Sequence, residues 1–137
     1  MKKLVFIFLI LFALRGEAVC VCEGKIPLKA AFARAEAIFT GQVEEKIWIT
    51  PFDYLVKVKV KYSWKSVQSE YVWLTSTTSN KECGYNFITG HEYLIYAYRT
   101  TNNLLAASKC GPTMPWSAVL KEDLATLGKT IYANEVE

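Results

Sequence analysis

The sequence predicts an all-β fold with flanking helices, in the form of a five-stranded Greek-key β-barrel of the OB type. The length of 137 residues suits one domain, and a hydrophobic share of 52% is enough for a packed core. Five strand-like segments follow one another, with no internal repeat or linker between them. A short segment with helical spacing stands on each side of them, which indicates helices that flank a small barrel.

The first predicted element is a helix that Pro27 can open, because proline is well tolerated at the first helical position. Apolar residues then recur at helical spacing, at Leu28, Ala31, Phe32, Ala35 and Phe39. The first strand is expected over residues 38–43. We interpret residues 44–53 (EEKIWITPFD), which include a proline, as the connector to the next strand.

The clearest strand is the stretch YLVKVKVKYSW, residues 54–64. Apolar or aromatic residues alternate with lysine or serine along it, which predicts one buried and one solvated face. The row of lysines could be an anion site. We interpret it instead as a solvated face that protects the sheet from edge-to-edge pairing.

Three further strands are expected at residues 71–77, 93–99 and 104–107. The polar residues 75–82 form the loop that leaves the first of them, and residues 101–103 form a turn. A final helix can open at Pro115 and end at Gly128. Its predicted apolar face consists of Trp116, Leu120, Leu124 and Leu127. We interpret residues 129–137 as a loose tail.

Residues 1–19 have the pattern of a secretory signal peptide. Lys2 and Lys3 precede an apolar run at residues 4–14, which is shorter than the roughly twenty residues that span a bilayer. This length argues against the alternative of an uncleaved membrane anchor. Gly16 and Ala18 favour cleavage after residue 18, and cleavage after residue 19 is the other prediction. The protein is therefore expected to be secreted or, in a bacterium, to reside in the periplasm or cell envelope.

The charge of the mature chain is close to neutral. The whole chain carries +3, and removing residues 1–19 takes away three basic residues and one acidic residue, which leaves +1. The mature chain therefore has no excess of positive charge that would favour binding to nucleic acid or to an anionic membrane surface. Membrane contact is expected only through an uncleaved signal segment, and the protein is expected to be a monomer.

The sequence lacks the common catalytic motifs, and it contains a single histidine. The only histidine is His91, which lies between two predicted strands and is interpreted as a solvated turn residue. The sequence has no HExxH motif, no nucleophile elbow with a Ser-His-Asp set and no phosphate-binding glycine loop. We therefore predict that the protein is not an enzyme.

The four cysteines are Cys20, Cys22, Cys83 and Cys110. An even count in a small exported chain predicts two disulfides, and a bond between Cys20 and Cys22 would close a strained ring. Both remaining pairings tie the start of the mature chain to Cys83 and Cys110. Each bond closes a loop of more than 60 residues. By lowering the entropy of the unfolded chain, each is expected to raise the free energy of unfolding by about 4 kcal/mol. A zinc site is disfavoured, because the C-x-C spacing and a lone histidine do not suit one.

Four stretches, taken in order, carry a family resemblance: CVC at 20–22, AFARAEAIFTGQV at 31–43, CGYNFITGHEYLIYAY at 83–98 and KCGPTMPWSAV at 109–119. Together they resemble the netrin-like N-terminal domain of the tissue inhibitors of metalloproteinases (TIMPs), in a single-domain form. The resemblance covers residues 20–128. It implies an OB-like barrel with the pairings Cys20–Cys83 and Cys22–Cys110. The family's third disulfide would need a cysteine near Ala33, and this chain has none there.

The resemblance also implies a function, the inhibition of zinc metalloproteases. In this family the first mature residue, here Cys20, chelates the catalytic zinc of the protease through its α-amine and carbonyl oxygen. The implied inhibitory wedge consists of Cys20, Val21, Cys22 and Glu23, flanked by Lys81 and Glu82. The side chain of Val21 would enter the specificity pocket. The zinc is supplied by the partner protease, and no cofactor of the protein's own is expected.

This mechanism depends on cleavage between Val19 and Cys20. If Val19 stayed attached, the amine would become an amide and bidentate chelation would be blocked. The alternative function is a netrin-like module that binds another exported protein, or a glycan, through its barrel loops without inhibiting a protease. The apolar residues 47–52 (IWITPF) motivate that alternative.

Overall fold

A computed structural model describes residues 19–24 and 26–134. The predicted signal peptide, up to residue 18, and the end of the predicted tail lie outside the described residues. The helices and strands are α1 (Leu28–Arg34), β1 (Ala37–Trp48), β2 (Asp53–Lys65), β3 (Tyr71–Thr77), β4 (Glu92–Arg99), β5 (Leu105–Ala107), β6 (Met114–Pro115), a 3₁₀ turn (Trp116–Ala118), α2 (Lys121–Leu127) and β7 (Tyr132–Ala133). In the described part of the chain, no helix is long and apolar enough to cross a bilayer.

Five strands close into a barrel, which confirms the predicted fold class. The strands follow the order β1-β2-β3-β5-β4, and β4 pairs antiparallel with β1 to complete the ring. All pairs in the ring are antiparallel except β3 with β5, which are parallel. Two short strands add to the outside, β6 beside β4 and β7 beside β2.

The barrel core follows from the alternation in β2. Val56, Val58 and Val60 point inward and are fully or almost fully buried, whereas the lysines between them point outward. Tyr54 is fully buried, and its hydroxyl donates to the carbonyl of Tyr85 (3.1 Å) and accepts the Phe87 N–H (3.2 Å). A second cluster, under the two helices, is built from residues that include Ile38, Trp64, Leu94 and Leu127.

The predicted connector at residues 44–53 is mostly wrong. Residues 44–48 continue β1, with Ile47 opposite Leu55 and Trp48 opposite Tyr54, so that only residues 49–52 form the turn. This end of the hairpin extends past the core, where both faces meet solvent, and the period-two pattern therefore disappears. The predicted helical position of Phe39 is also wrong, because α1 ends at Arg34 and Phe39 is buried within β1.

The C-terminal helix begins later than predicted. Pro115 ends β6 and precedes the 3₁₀ turn, and α2 starts at Lys121, where the Asp123 carboxylate accepts the Leu120 N–H (2.8 Å). Gly128 ends the helix as predicted, with a φ of 74° that favours glycine.

The interpretation of residues 129–137 as a loose tail is wrong for residues 131–134. The N–H groups of Ile131 and Asn134 donate to the carbonyls of Ser63 and Lys61, each at 2.8 Å. These bonds hold β7 along the outer edge of β2.

Candidate functional site

Two disulfides anchor the N-terminal segment, which we define as residues 19–24. Cys20 is bonded to Cys83 and Cys22 to Cys110, with Cα–Cα distances of 5.3 Å and 5.2 Å. This is the pairing that the resemblance implies, and it is one of the two that the cysteine count leaves open. The paired cysteines are 63 and 88 residues apart, so each bond removes much of the chain entropy of the unfolded state.

The backbone of Cys20 is held by the flanking loop, which we define as residues 78–83. The Cys20 N–H donates to the carbonyl of Asn80 at 2.7 Å. The loop is ordered by its own hydrogen bonds, because the Ser79 hydroxyl accepts the Lys81 N–H and the Ser79 carbonyl accepts the Glu82 N–H, both at 3.3 Å. The nitrogen of Cys20 therefore has a defined position.

Val21 lies between the two anchored cysteines and is 80% exposed. Neighbouring side chains in an extended chain point to opposite sides, so tying the Cys20 and Cys22 side chains to Cys83 and Cys110 turns Val21 away from those loops. Cys22 and Glu23 are also exposed, and with Val21 and Arg34 they line a groove of about 500 Å³. An apolar side chain is thus presented to solvent by a covalently fixed backbone.

A second cleft, of about 480 Å³, borders the flanking loop. It lies between the β1–β2 turn and the β4–β5 connection, and its lining includes Ile49, Glu82, Tyr98 and Leu104. Burial, with a smaller contribution from the Glu82 carboxylate, raises the pKa of the Tyr98 hydroxyl.

Lys81 is exposed on the flanking loop. The structure therefore places Lys81 and Glu82 on the loop that binds the Cys20 backbone.

Short backbone pairing fixes the two distant cysteines. The Cys83 carbonyl accepts the Lys109 N–H (3.0 Å), and Gly84 forms a bridge with Ser108. Gly84 has no room for a side chain, since a Cβ there would lie 2.5 Å from the Thr77 carbonyl oxygen. Cys83 and Cys110 therefore belong to one small ladder beside β3.

The sulfurs of Cys20, Cys83 and Cys110 lie within 4.8 Å of one another. The thiolate is the form of cysteine that binds metal, and all three sulfurs are engaged in disulfides. We interpret the cluster as a covalent anchor.

Sequence reasoning missed three contributors to this site: Asn80, Arg34 and Tyr98. Asn80 acts through its backbone carbonyl, which every residue type possesses, and so its role leaves no signal in the sequence. Arg34 and Tyr98 reach the site only because α1 and the end of β4 pack near the cysteines. Their positions follow from the barrel topology.

A scan of the chain against protein-family models gives no match, and neither does a search of curated proteins.

Proposed function

We propose that the protein is an exported, TIMP-like inhibitor of zinc metalloproteases that acts through its N-terminal segment. The observation that carries the proposal is the arrangement of three consecutive residues. Cys20 and Cys22 are fixed by disulfides, and Val21 between them is 80% exposed. The exposure leaves the Val21 side chain free to enter a protease cleft, where a buried apolar anchor contributes to binding.

In the proposed mechanism, cleavage before Cys20 frees its α-amine, and the amine and carbonyl oxygen bind the zinc of the partner enzyme together. Zinc accepts nitrogen and oxygen ligands, and these two atoms would occupy the position of the water that attacks substrate. An α-amine has a pKa of about 7.7–8.0, so a metal competes effectively with its proton near neutral pH. The Asn80 carbonyl would orient this nitrogen.

Two features would increase affinity beyond the metal bonds. The disulfides and the Asn80 hydrogen bond order the segment before binding, which lowers the entropy lost on association. Burying Val21 in an apolar pocket would contribute about 1.5–3 kcal/mol. Glu23, Lys81 and Glu82 would lie at the rim, where charges affect association rate and selectivity more than affinity.

The test compares three forms of one protein: a chain that starts at Cys20, a chain that starts at Val19, and the first chain with its α-amine acetylated. Each form is assayed at micromolar concentration against a panel of zinc metalloproteases. We expect inhibition by the free Cys20 form alone. Equal inhibition by all three forms would exclude chelation by the amine, and inhibition by none would count against the proposed function.

The second candidate is a netrin-like module that binds another protein in the cell envelope or extracellular space. It is favoured by the hairpin tip, residues 47–52, where Trp48, Ile49 and Phe52 are each more than half exposed. This candidate predicts that no form inhibits a protease. Inhibition by the Cys20 form would exclude it as the sole function.

A further inference from the structure

The four disulfide sulfurs differ in how closely they cluster and in the exposure of their residues. The Sγ atoms of Cys20, Cys83 and Cys110 form one cluster, in which those of Cys20 and Cys110 are 3.9 Å apart although they belong to different disulfides. The Cys22 sulfur is not part of this cluster, and Cys22 is exposed at the groove beside α1. The other three cysteines are partly buried. Because Cys22 is the most exposed of the four cysteine residues, we expect an external thiolate to attack its sulfur first.

We propose that the cysteine cluster is a disulfide relay, in which reduction at Cys22 transfers the bond of Cys20 from Cys83 to Cys110. A small dithiol supplies the reducing electrons. One thiolate of the dithiol attacks the Cys22 sulfur, forms a mixed disulfide and releases Cys110 as a thiolate. The second thiol of the dithiol then resolves the mixed disulfide, leaving Cys22 as a thiol and the reductant as a cyclic disulfide.

The relay step is an exchange with no net change in oxidation. The Cys110 thiolate attacks the Cys20 sulfur, the Cys20–Cys110 bond forms, and the Cys20–Cys83 bond breaks with Cys83 leaving as a thiolate that takes up a proton. Attack requires the thiolate to approach the target sulfur closely and in line with the bond that breaks. The 3.9 Å separation supplies the proximity, and the Cys110 side chain, once released from Cys22, must rotate to bring its sulfur into line. The product has one disulfide and two thiols.

The exchange changes which segments of the chain are joined by a disulfide. Cys20 stays anchored through Cys110, but the flanking loop loses its covalent tie to the N-terminal segment at Cys83. The Asn80 carbonyl and the Cys20 nitrogen are then joined only by their hydrogen bond. This redox device goes beyond the proposed function, because it is a property of the cysteine cluster whether or not a protease is bound.

Two matched variants test the relay without any reductant. Cys22→Ser leaves Cys110 unpaired inside the cluster, whereas Cys110→Ser leaves Cys22 unpaired outside it. Each protein is alkylated with iodoacetamide at pH 8 and mapped by peptide mass spectrometry. We expect Cys22→Ser to carry label on Cys83 as well as Cys110, and Cys110→Ser to carry label on Cys22 only. Label confined to Cys110 in the first variant would overturn the relay.

The wild-type protein provides a second measurement that does not depend on the folding of either variant. It is treated with graded dithiothreitol, quenched by alkylation and separated into species with two, one and no disulfides. The relay predicts that the main one-disulfide species contains Cys20–Cys110, with alkyl groups on Cys22 and Cys83. A one-disulfide species that retains Cys20–Cys83, or direct passage to the fully reduced chain, would contradict it.

Discussion

The backbone nitrogen of Cys20 donates a hydrogen bond of 2.7 Å to the backbone carbonyl of Asn80. The nitrogen that we propose as a zinc ligand is therefore positioned by a loop that is distant in sequence. That loop is tied to the same residue by the Cys20–Cys83 disulfide. One covalent bond and one hydrogen bond thus act on a single residue, and the position of Cys20 depends on the conformation of residues 78–83.

The exposure of Val21 leads to a prediction about affinity. Val21→Ala removes two methyl groups that would be buried in the protease pocket, so we expect inhibition to weaken about tenfold. The free energy of unfolding should change by less than about 0.5 kcal/mol, since the side chain is exposed. Leu120→Ala, at another exposed apolar residue, is the control and should leave inhibition unchanged. Unaltered inhibition by Val21→Ala would show that the Val21 side chain is not part of the inhibitory wedge.

The Cys22–Cys110 bond leads to a prediction about stability. The double variant Cys22→Ser/Cys110→Ser keeps the other disulfide and leaves no unpaired thiol. The bond joins residues 88 apart, so its loss should lower the free energy of unfolding by about 3–5 kcal/mol. Urea denaturation measures the difference. A loss below about 1 kcal/mol would show that the bond constrains the unfolded chain little.

The close approach at Gly84 leads to a third prediction. In Gly84→Ala the new Cβ would meet the Thr77 carbonyl oxygen at 2.5 Å and the Thr77 nitrogen at 2.9 Å. These are backbone atoms of β3 that cannot move aside freely, so we expect a destabilisation of about 1–3 kcal/mol. Gly111→Ala is the matched control, because its nearest neighbour, the Ser108 carbonyl oxygen, lies at 3.6 Å. Equal melting temperatures for the two variants would contradict the prediction.

A fourth prediction concerns alkaline pH. Burial, with a smaller contribution from Asp123, raises the pKa of Tyr96 from 10.0 to about 12. The folded state thus holds this proton more tightly than the unfolded chain. The resulting stability is complete below pH 10 and is lost as the pH rises from 10 towards 12. Tyr96→Phe should therefore lose stability less steeply over that range in urea denaturation. A slope equal to that of the wild type would refute the assignment to Tyr96.

The barrel was predictable because its strands have one solvent-exposed and one buried face. In β2 the valines at 56, 58 and 60 alternate with lysines, and the buried side must face the core whatever the topology. The same alternation fails at residues 44–48, where both faces of the hairpin meet solvent. The two-residue strand β7 is too short to show any period, so its pairing with β2 leaves no trace in the sequence.

The candidate site was predictable only in part. The count and spacing of the cysteines indicated that disulfides join the N-terminal segment to two distant loops. The family resemblance selected one of the two possible disulfide pairings. The contact of Cys20 with Asn80, the packing of Gly84 on Thr77 and the proximity of Glu82 to Tyr98 depend on how the loops fold back on the barrel. No local pattern encodes those contacts.

The measurement that tests the central claim most directly is the intact mass of the mature protein isolated from its natural host, before and after reduction. It identifies the first residue and counts the disulfides in one experiment. The sequence around Ala18 favours a chain that begins at Val19, whereas the proposed function requires one that begins at Cys20. With two disulfides, that chain gains four hydrogens on reduction. A mature chain that begins at Val19 would contradict the account, because the Cys20 nitrogen would then be an amide and could not chelate zinc.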